Sequence, residues 1–569
     1  MAAVAALMGW GGLAAQNNYA YEVGGLMLNH DFVSTPDLFS LSQVNFNFST
    51  ARSMGMGGAF TSLGADQASM SINPAGLGMY RHNDLAITPM MSMTRASTEQ
   101  TLPYERNTKN RFALGNLGIV FNVFEGSGRL VSLNLGIGYN RLADYNYNFS
   151  FRQGGGNTSI ADALCMQLES GGLSVNSAGT IIQGGYSDWD VDPRYWPGVA
   201  AYKTYLVDRN AQGEWYPGEI GVNAVIERGT SLRSTGSAGE FDLAMGANVD
   251  NKLYFGFTLG IQRIYQKKEY YYGESYSYGN GNGYGTGDPA VDGDGVQLDN
   301  VMQSIGMTQT SIVEGAGVNF KLGVTYRPVA GLRLGLAFHT PTYYALDRRF
   351  QLAMSTISLG PTDAEEGDYR PYESTSDSYS PEWRDEDNNA WCFTTPSRLL
   401  FGASYTFGNI GILSVDYERD WYNGIRMSSM PFQPAGPDET SYRQASKAFF
   451  KGSNTVRVGV EVKPLPMLAI RAGYGYNGSM LKDSETVFSD PVIYQSNYYT
   501  AGLGVNFGSV YIDVAYCYTQ NKMTPYMLFY GNRYDLKDDS GQSDLFYTSA
   551  LYKTKLNRHN VALTLGFRF

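Results

Sequence analysis

The chain is poor in the residue types that build most catalytic and metal centres. Its 569 residues include only four histidines and three cysteines, Cys165, Cys392 and Cys517. Three cysteines so far apart cannot form a disulfide scaffold, and they show no CxxC metal spacing. The scattered histidines argue against a multi-histidine metal enzyme, and no Ser/His/Asp or Cys/His arrangement stands out. We therefore expect neither an enzyme nor a bound cofactor.

Charge is also scarce, and its balance is negative. Charged residues make up 17% of the chain, whereas an average domain carries about 25%. The formal net charge of −11 argues against a nucleic-acid partner, which needs a basic face. Aromatic residues reach 14%, which argues against a disordered chain. Beyond the N-terminus no apolar run is long enough for a transmembrane helix, which needs about 20 residues.

The first 15 residues form an apolar stretch, and the first charged side chain is Glu22. The ending Leu13-Ala14-Ala15 before Gln16 is typical of a secretory signal. A basic start is missing, so the signal is read as truncated at its beginning. The alternative is a buried N-terminal strand or helix. We predict a signal peptide over 1–15 and an exported chain.

The body of the chain alternates apolar residues with small or polar ones. The pattern is clearest at 130–140, 456–463 and 561–569, where every second residue is large and apolar. Such alternation predicts strands with one apolar face. A β-sandwich would show the same alternation, so the lengths of the connections have to decide between the two folds.

Short and long connections alternate strictly along the chain. Joins of one to four residues, such as Asp250-Asn251 and Gly408, take turns with loops as long as 152–235. Short turns at one rim and long loops at the other are typical of an outer-membrane barrel. A polar lumen agrees with the mean hydropathy of −0.27. We predict a 14-stranded antiparallel transmembrane β-barrel with strands near 84–98, 111–124, 129–151, 236–249, 252–272, 310–328, 331–355, 394–407, 409–428, 452–464, 466–480, 496–507, 509–530 and 554–569.

The segment before the first strand carries the most specific motif. It contains Ala51-Arg52, the run Met54 to Phe60, Asp66, and Asn73-Pro74-Ala75-Gly76-Leu77 in that order. This run resembles the N-terminal hatch of the FadL/TodX family of outer-membrane transporters for hydrophobic compounds. Alone, Asn-Pro-Ala-Gly is an ordinary turn. The glycine-rich run lacks the Gly-Lys-Ser/Thr ending of a phosphate loop.

The resemblance implies an organisation and a mechanism. Residues 16–82 would form a hatch, or plug, inside the lumen of a barrel spanning 83–569. A hydrophobic compound such as a long-chain fatty acid would bind in the lumen and shift the hatch. It would then leave through a gap beside a kinked strand into the outer-membrane lipid. The protein would act as a monomer in the cell outer membrane, without a cofactor or an energy source.

Several residues receive roles by this resemblance. Asn73 would satisfy buried backbone groups near the wall gap, and Pro74 would fix the turn that Ala75 and Gly76 continue. Glycines in the third strand would permit its kink. Four apolar residues of the hatch are candidates for the ligand path, with plain hatch packing as an equal alternative. The kink candidates are Gly136 and Gly138, and the ligand-path candidates are Met54, Met56, Phe60 and Met70.

The long loops leave further alternatives open. Ile160, Leu164 and Leu168 predict a short amphipathic helix within 159–170. Four aspartates stand near calcium-loop spacing, but Ala290 occupies a ligand position, so a solvated loop is favoured over a metal site. The Tyr-rich loops motivate a second function, binding or shuttling protein cargo at the surface; a polar porin is the weakest alternative. The calcium candidates are Asp288, Asp292, Asp294 and Asp299.

Overall fold

The computed structural model describes most of the chain and leaves several ranges aside. The predicted signal peptide and residues 16–39 lie outside the described residues. So do most of the aspartates considered for calcium. The described residues are 40–44, 49–98, 107–156, 158–191, 193–279, 290–291, 295–360, 372–384, 390–429, 443, 446–447, 450–480, 482, 495–526 and 552–569.

Fourteen antiparallel strands close into one barrel, because the first strand pairs with both the second and the last. This confirms the predicted strand number and closure. Four of the strands are interrupted and continue after a short break. The strands are β1 Asp84–Thr98, β2 Thr108–Glu125, β3 Leu130–Asp144 and Tyr147–Gly156, β4 Val225–Val249, β5 Leu253–Ser277, β6 Val301–Tyr326, β7 Leu332–His339 and Tyr343–Gly360, β8 Trp391–Thr394 and Arg398–Phe407, β9 Gly411–Trp421 and Arg426–Ser429, β10 Gly452–Leu465, β11 Leu468–Asn477, β12 Ser496–Asn506, β13 Val510–Tyr526, and β14 Tyr552–Arg568.

The predicted alternation of short and long connections is confirmed. Asp250 and Asn251 both have φ near +55°, so β4 and β5 are joined by the tight turn that matches strand twist. At the opposite rim β4 to β7 extend well beyond the others, and a short sheet of Tyr372–Tyr379 and Trp383–Arg384 pairs with the second part of β7. The two rims are called the short-turn rim and the long-loop rim below.

The outer face of the wall is apolar. Along β1, exposed Leu85 and Ile87 alternate with buried Asp84, Ala86 and Thr88. Large exposed hydrophobic side chains recur in the same way around the barrel. An apolar band of about 25 Å is the lipid-facing surface of outer-membrane barrels, and it indicates an outer-membrane protein. No helix within the described ranges is long and apolar enough to cross a bilayer.

The long connection between β3 and β4 folds into a compact cap at the long-loop rim. Its helices are α3 Ile160–Ser170 and α4 Trp196–Lys203; α1 and α2 precede the barrel and are given below. Glu274 on β5 accepts hydrogen bonds from Ser159 Oγ at 2.6 Å and Ile160 N at 2.9 Å, which fixes the start of α3. The predicted helix is confirmed, and its apolar face is fully buried. The cap also contains the strands Ser174–Val175, Ile181–Gln183, Tyr186–Ser187, Val207–Arg209 and Trp215–Pro217, and the 3₁₀ turns Asp188–Asp190 and Pro193–Tyr195.

Residues 49–80, here called the inner segment, lie inside the barrel. The segment holds α1 Ala51–Gly55, α2 Ser69–Ile72 and a 3₁₀ helix Pro74–Met79. Helix α1 contacts β12 and β13, whereas the 3₁₀ helix contacts β4, β5 and β6 on another side of the wall. The segment therefore spans the lumen, in the half nearer the short-turn rim.

Glycines in the wall make room for the inner segment. A Cβ atom added at Gly335 would overlap the Thr61 carbonyl, and one at Gly459 would overlap the Met56 carbonyl. Glycines of β4, β5, β8 and β11 likewise lie against the backbone of the inner segment, whereas those of β2 and β3 lie against its side chains. The two backbones therefore meet closely on six strands, β4, β5, β7, β8, β10 and β11. The wall glycines whose added Cβ would meet the inner segment at less than 3.0 Å are Gly118, Gly136, Gly138, Gly246, Gly256, Gly323, Gly335, Gly402, Gly459 and Gly473. We call them the glycine ring.

We predict that Gly335→Ala destabilises the folded barrel by about 1–3 kcal/mol, the usual cost of overpacking, because neither backbone can yield easily. The measurement is the temperature at which the compact gel form converts to the unfolded form. Gly424→Ala is the matched control, since its added Cβ would meet nothing within 4 Å. Equal transition temperatures for the two variants would contradict the close fit.

Candidate functional site

The inner segment is tied to the wall by buried ions. Arg52 Nε lies 3.4 Å from Glu461 Oε2, and its Nη1 reaches the carbonyls of Gly64 and Ala65, each at 3.4 Å. Glu461 also accepts from Arg471 Nε at 2.7 Å. One arginine therefore fixes two distant turns of the segment and joins them to β10 and β11.

The Asn-Pro-Ala-Gly motif is a buried turn with every member packed. The Asn73 amide donates to the Thr61 carbonyl at 2.6 Å, and its Oδ1 accepts from Ala75 N at 3.1 Å. Pro74 occupies the first position of the 3₁₀ helix, where its missing N–H costs nothing. Gly76 N bonds the Asn73 carbonyl at 3.0 Å. The motif thus cross-links the segment to itself and lies against Gly256 and Gly323 of the wall.

The four predicted ligand-path residues are all fully buried, and the structure does not bring them together. Met54 packs with Met90 and Tyr498, whereas Met56 and Phe60 lie in a second apolar cluster. Met70 belongs to a third cluster, between the inner segment and β2 to β4. Their surroundings match the alternative of packing between the segment and the wall.

Gly136 and Gly138 lie in an unbroken part of β3. They pair with β2 on one side and with β4 on the other, without a register shift at either residue. Both are in the glycine ring, where they make room for the side chain of Met70. The irregularity in β3 that they were expected to permit lies farther along the strand.

Strand β3 does bend, at Leu142 and again at Tyr145 and Asn146. Leu142 forms a bulge, because it has no partner in the β3–β4 ladder. The strand itself stops at Asp144 and resumes at Tyr147. Asn146 holds the bend, because its backbone N–H donates to Asp144 Oδ1 at 2.9 Å and its Nδ2 donates to the Gly236 carbonyl at 2.9 Å.

The bend carries β3 away from β2 and towards the lumen. The β2–β3 ladder ends at the pair Asn116 and Asn140, so 108–114 of β2 pair only with β1. Beyond the bend, the Asp144 carbonyl accepts from Arg558 Nη2 on β14 at 2.9 Å. The long side chain of Arg558 spans the distance from β14, and Tyr147–Gly156 lies close to β1, so β3 runs on the lumen side of β2 here. The wall is therefore interrupted between β2 and β3.

Side chains bridge the interruption in place of the ladder. Arg111 Nη1 donates to Asn146 Oδ1 at 2.6 Å. Asn107 and Ser150 exchange two hydrogen bonds, of 2.9 and 2.7 Å. Phe112 on β2 points outward beside the break and is 80% exposed. A contact made by side chains can be rearranged without breaking a strand ladder, so this part of the wall can open more easily than a paired one.

A cluster of buried apolar side chains, here called the chamber, lies next to the bend, on the long-loop side of the inner segment. Sequence reasoning missed it, because its members come from β3 to β9 and lie far apart in the chain. Leu41 is buried among them, and Val44 packs against them. The polar edge of the chamber carries Lys321, which contacts Glu240 and Asp242. The apolar lining includes Leu142, Tyr145, Tyr344, Trp391, Phe393, Ile425 and Met427.

The calcium candidates lie mostly outside the described part of the chain. Asp299 is exposed, and Asp288, Asp292 and Asp294 lie outside the described residues. Within those ranges no three metal-binding side chains come together. Burial raises the pKa of the Cys165 thiol in the cap. The thiol therefore stays protonated, whereas a nucleophilic cysteine must be a thiolate.

No family model matches the chain, and no curated protein matches it. Among solved structures it is similar to the Pseudomonas putida toluene transporter TodX, with 12% identity over 91% of this chain and 98% of the other, at a TM-score of 0.46. The Ralstonia pickettii toluene transporter TbuX has 14% identity over 92% and 99%, at 0.46. A Pseudomonas aeruginosa FadL homologue has 12% over 92% and 98%, at 0.46. The function is argued below from the residues of this chain.

We predict that Arg52→Met loosens the inner segment, because the substitution removes its link to Glu461 and to two carbonyls. The expected loss is about 1–3 kcal/mol, the range for hydrogen bonds to charged groups. Transient current through single barrels in a planar bilayer should accompany it. Arg129→Met is the control, since its side chain is 91% exposed and 3.9 Å from Asp250. A variant as stable and as silent as wild type would refute this anchoring role.

Proposed function

We propose that the protein is a passive outer-membrane transporter of hydrophobic compounds, with long-chain fatty acids among its candidate ligands. In this proposal the compound reaches the apolar chamber from the long-loop side and leaves between β2 and β3 into the lipid. The observation that carries the proposal is the contact between this apolar cluster and the break, because Leu142 and Tyr145 of the bend belong to the cluster.

The close fit of the inner segment supports a sideways exit. A straight path along the barrel axis would cross that segment, which the glycine ring holds against the wall. Opening such a path would disturb many close contacts and the Arg52 ion pair. A general polar porin needs an open axial path, so this packing counts against that alternative.

The energetics of the ligand favour the same route. Each CH₂ group gains about 0.8 kcal/mol when it leaves water for an apolar phase. The chamber offers such a phase inside the wall, and the bilayer offers a larger one immediately outside. Transfer from chamber to membrane therefore needs no energy source.

Residues 40–44 and the motif have distinct roles in the proposal. Leu41 and Val44 fill space in the chamber, and the Ser42 carbonyl accepts from Arg398 Nη2 at 2.9 Å. A ligand would displace these residues, which is the movement of the hatch that we propose. Asn73 and Pro74 would keep the rest of the segment in place during that movement.

We predict that locking β3 to β2 stops uptake. In a Cys392→Ser background, Asn107→Cys and Ser150→Cys place two thiols across the break, where a bifunctional methanethiosulfonate can join them. Cross-linked cells should lose most uptake of a hydrophobic probe, because the break can no longer widen, and reduction should restore it.

The matched control joins a part of the wall that is already continuous. Leu336 and Phe401 face each other on β7 and β8 and are exposed on the outside. Cross-linking Leu336→Cys to Phe401→Cys should leave uptake unchanged. Full uptake after complete cross-linking at Asn107→Cys and Ser150→Cys would count decisively against a lateral exit.

We also predict that Asn73→Ala with Pro74→Ala reduces uptake while the barrel remains in the outer membrane. The double variant removes the bond to the Thr61 carbonyl and the fixed start of the 3₁₀ helix. Uptake of a fatty acid by intact cells and mass spectrometry of ligands extracted from the purified protein are the two measurements. Normal uptake would remove the motif from the mechanism.

The alternative function, binding of a protein partner at the surface, stays a prediction. Pull-downs with the full-length protein would test it.

A further inference from the structure

Three arginines converge on the bend of β3. Arg111 on β2 donates to Asn146, and Arg558 on β14 donates to the Asp144 carbonyl. Arg141 Nη2 lies 3.6 Å from Asp144 Oδ2. Among the described residues, Asp144 is the acidic residue that the contacts of Arg141 and Arg558 share.

Arg141 is the member of the group that lacks adequate partners. It is only 5% exposed, and among the described residues its Nε and Nη2 have no hydrogen-bond partner. The 3.6 Å separation from Asp144 is too long for a hydrogen bond. A buried guanidinium with unmade hydrogen bonds is costly. By contrast, Arg398 and Arg471, also buried, each donate to a carboxylate.

We propose that Arg141, with Arg111 and Arg558 beside it, binds the anionic head group of an amphipathic molecule at the break between β2 and β3. A carboxylate or phosphate would give the guanidinium the acceptors it lacks, in the paired geometry that arginine favours. The apolar part would take a place among the side chains of the adjoining apolar cluster, which begins at the next residue, Leu142. The inference rests on the proposed function and narrows its ligand class to anionic amphipaths.

Two sources could supply such a head group, a transported fatty acid or a phosphate of the surrounding lipopolysaccharide. The experiment compares hexadecanoate with hexadecan-1-ol, which share a chain and differ in charge, for binding to the purified full-length protein in non-ionic detergent. Wild type should bind the acid about ten- to a hundredfold more tightly, the factor expected for charge-assisted hydrogen bonds. Lipid A that co-purifies with each protein is measured in parallel.

Four variants separate charge from structure. Arg141→Gln should lose the preference for the acid and leave binding of the alcohol unchanged. Arg141→Lys should keep part of the preference, because it retains the charge without the paired donors. Asp144→Asn should strengthen binding of the acid, an opposite effect that a merely structural role does not predict. Arg129→Gln, an exposed arginine at the other rim, should behave as wild type. Heat-modifiable gel migration checks that each variant is folded.

The outcomes separate the two sources and the two proposals. Loss of acid preference in Arg141→Gln assigns the site to the transported ligand, and loss of co-purified lipid A alone assigns it to the membrane lipid. Equal binding of acid and alcohol by wild type, with unchanged lipid A in the variant, overturns the head-group site and leaves the proposed function standing. Failure of both probes to bind overturns the proposed function, and the lipid A comparison then decides the site alone.

Discussion

The hydrogen-bonding demand of the backbone governs this structure. In hydrocarbon, a peptide N–H or C=O without a partner is costly, and closing the sheet satisfies both edges of every strand. The seam between β1 and β14 completes that closure. The demand is met differently on the long-loop side of Asn116, where the backbone ladder between β2 and β3 ends. Hydrogen bonds from the side chains of Asn107, Arg111 and Ser150 link the two strands there. A wall held by backbone hydrogen bonds is stiff. Side-chain hydrogen bonds replace them between β2 and β3, so the wall can move more easily there.

Polar contacts inside the barrel follow from the same demand. The inner segment has only short helices, of five, four and six residues, and cannot satisfy its own backbone. The wall supplies what it lacks: Asp416 accepts from Thr61 N at 2.8 Å, and Asp242 accepts from Ser71 Oγ at 2.9 Å. Such buried carboxylates need cations nearby, and Lys321 meets this need for Asp242. Ions in the lumen thus hold the segment where an apolar core alone would not specify one position.

The fold could be predicted from the sequence, because strand alternation and loop length are local properties. All fourteen strands and the helix around Leu164 were found in this way. The chamber could not, since Tyr145, Trp391 and Met427 meet only after the barrel has closed. Gly136 illustrates the limit: glycine indicates that something lies close or that the backbone turns, and sequence cannot distinguish the two. Arg141 carries no sequence signal at all, because its lack of partners is a property of the folded neighbourhood.

The glycine ring also has a consequence for biogenesis. The inner segment lies backbone to backbone against six strands, so a closed barrel leaves little room for residues 49–80 to enter afterwards. These residues precede β1 in the chain, and we expect them to be in place when β14 meets β1. The strands of the barrel would then assemble around the inner segment. A peptide of these residues, added to a refolded barrel that lacks them, should find no way in.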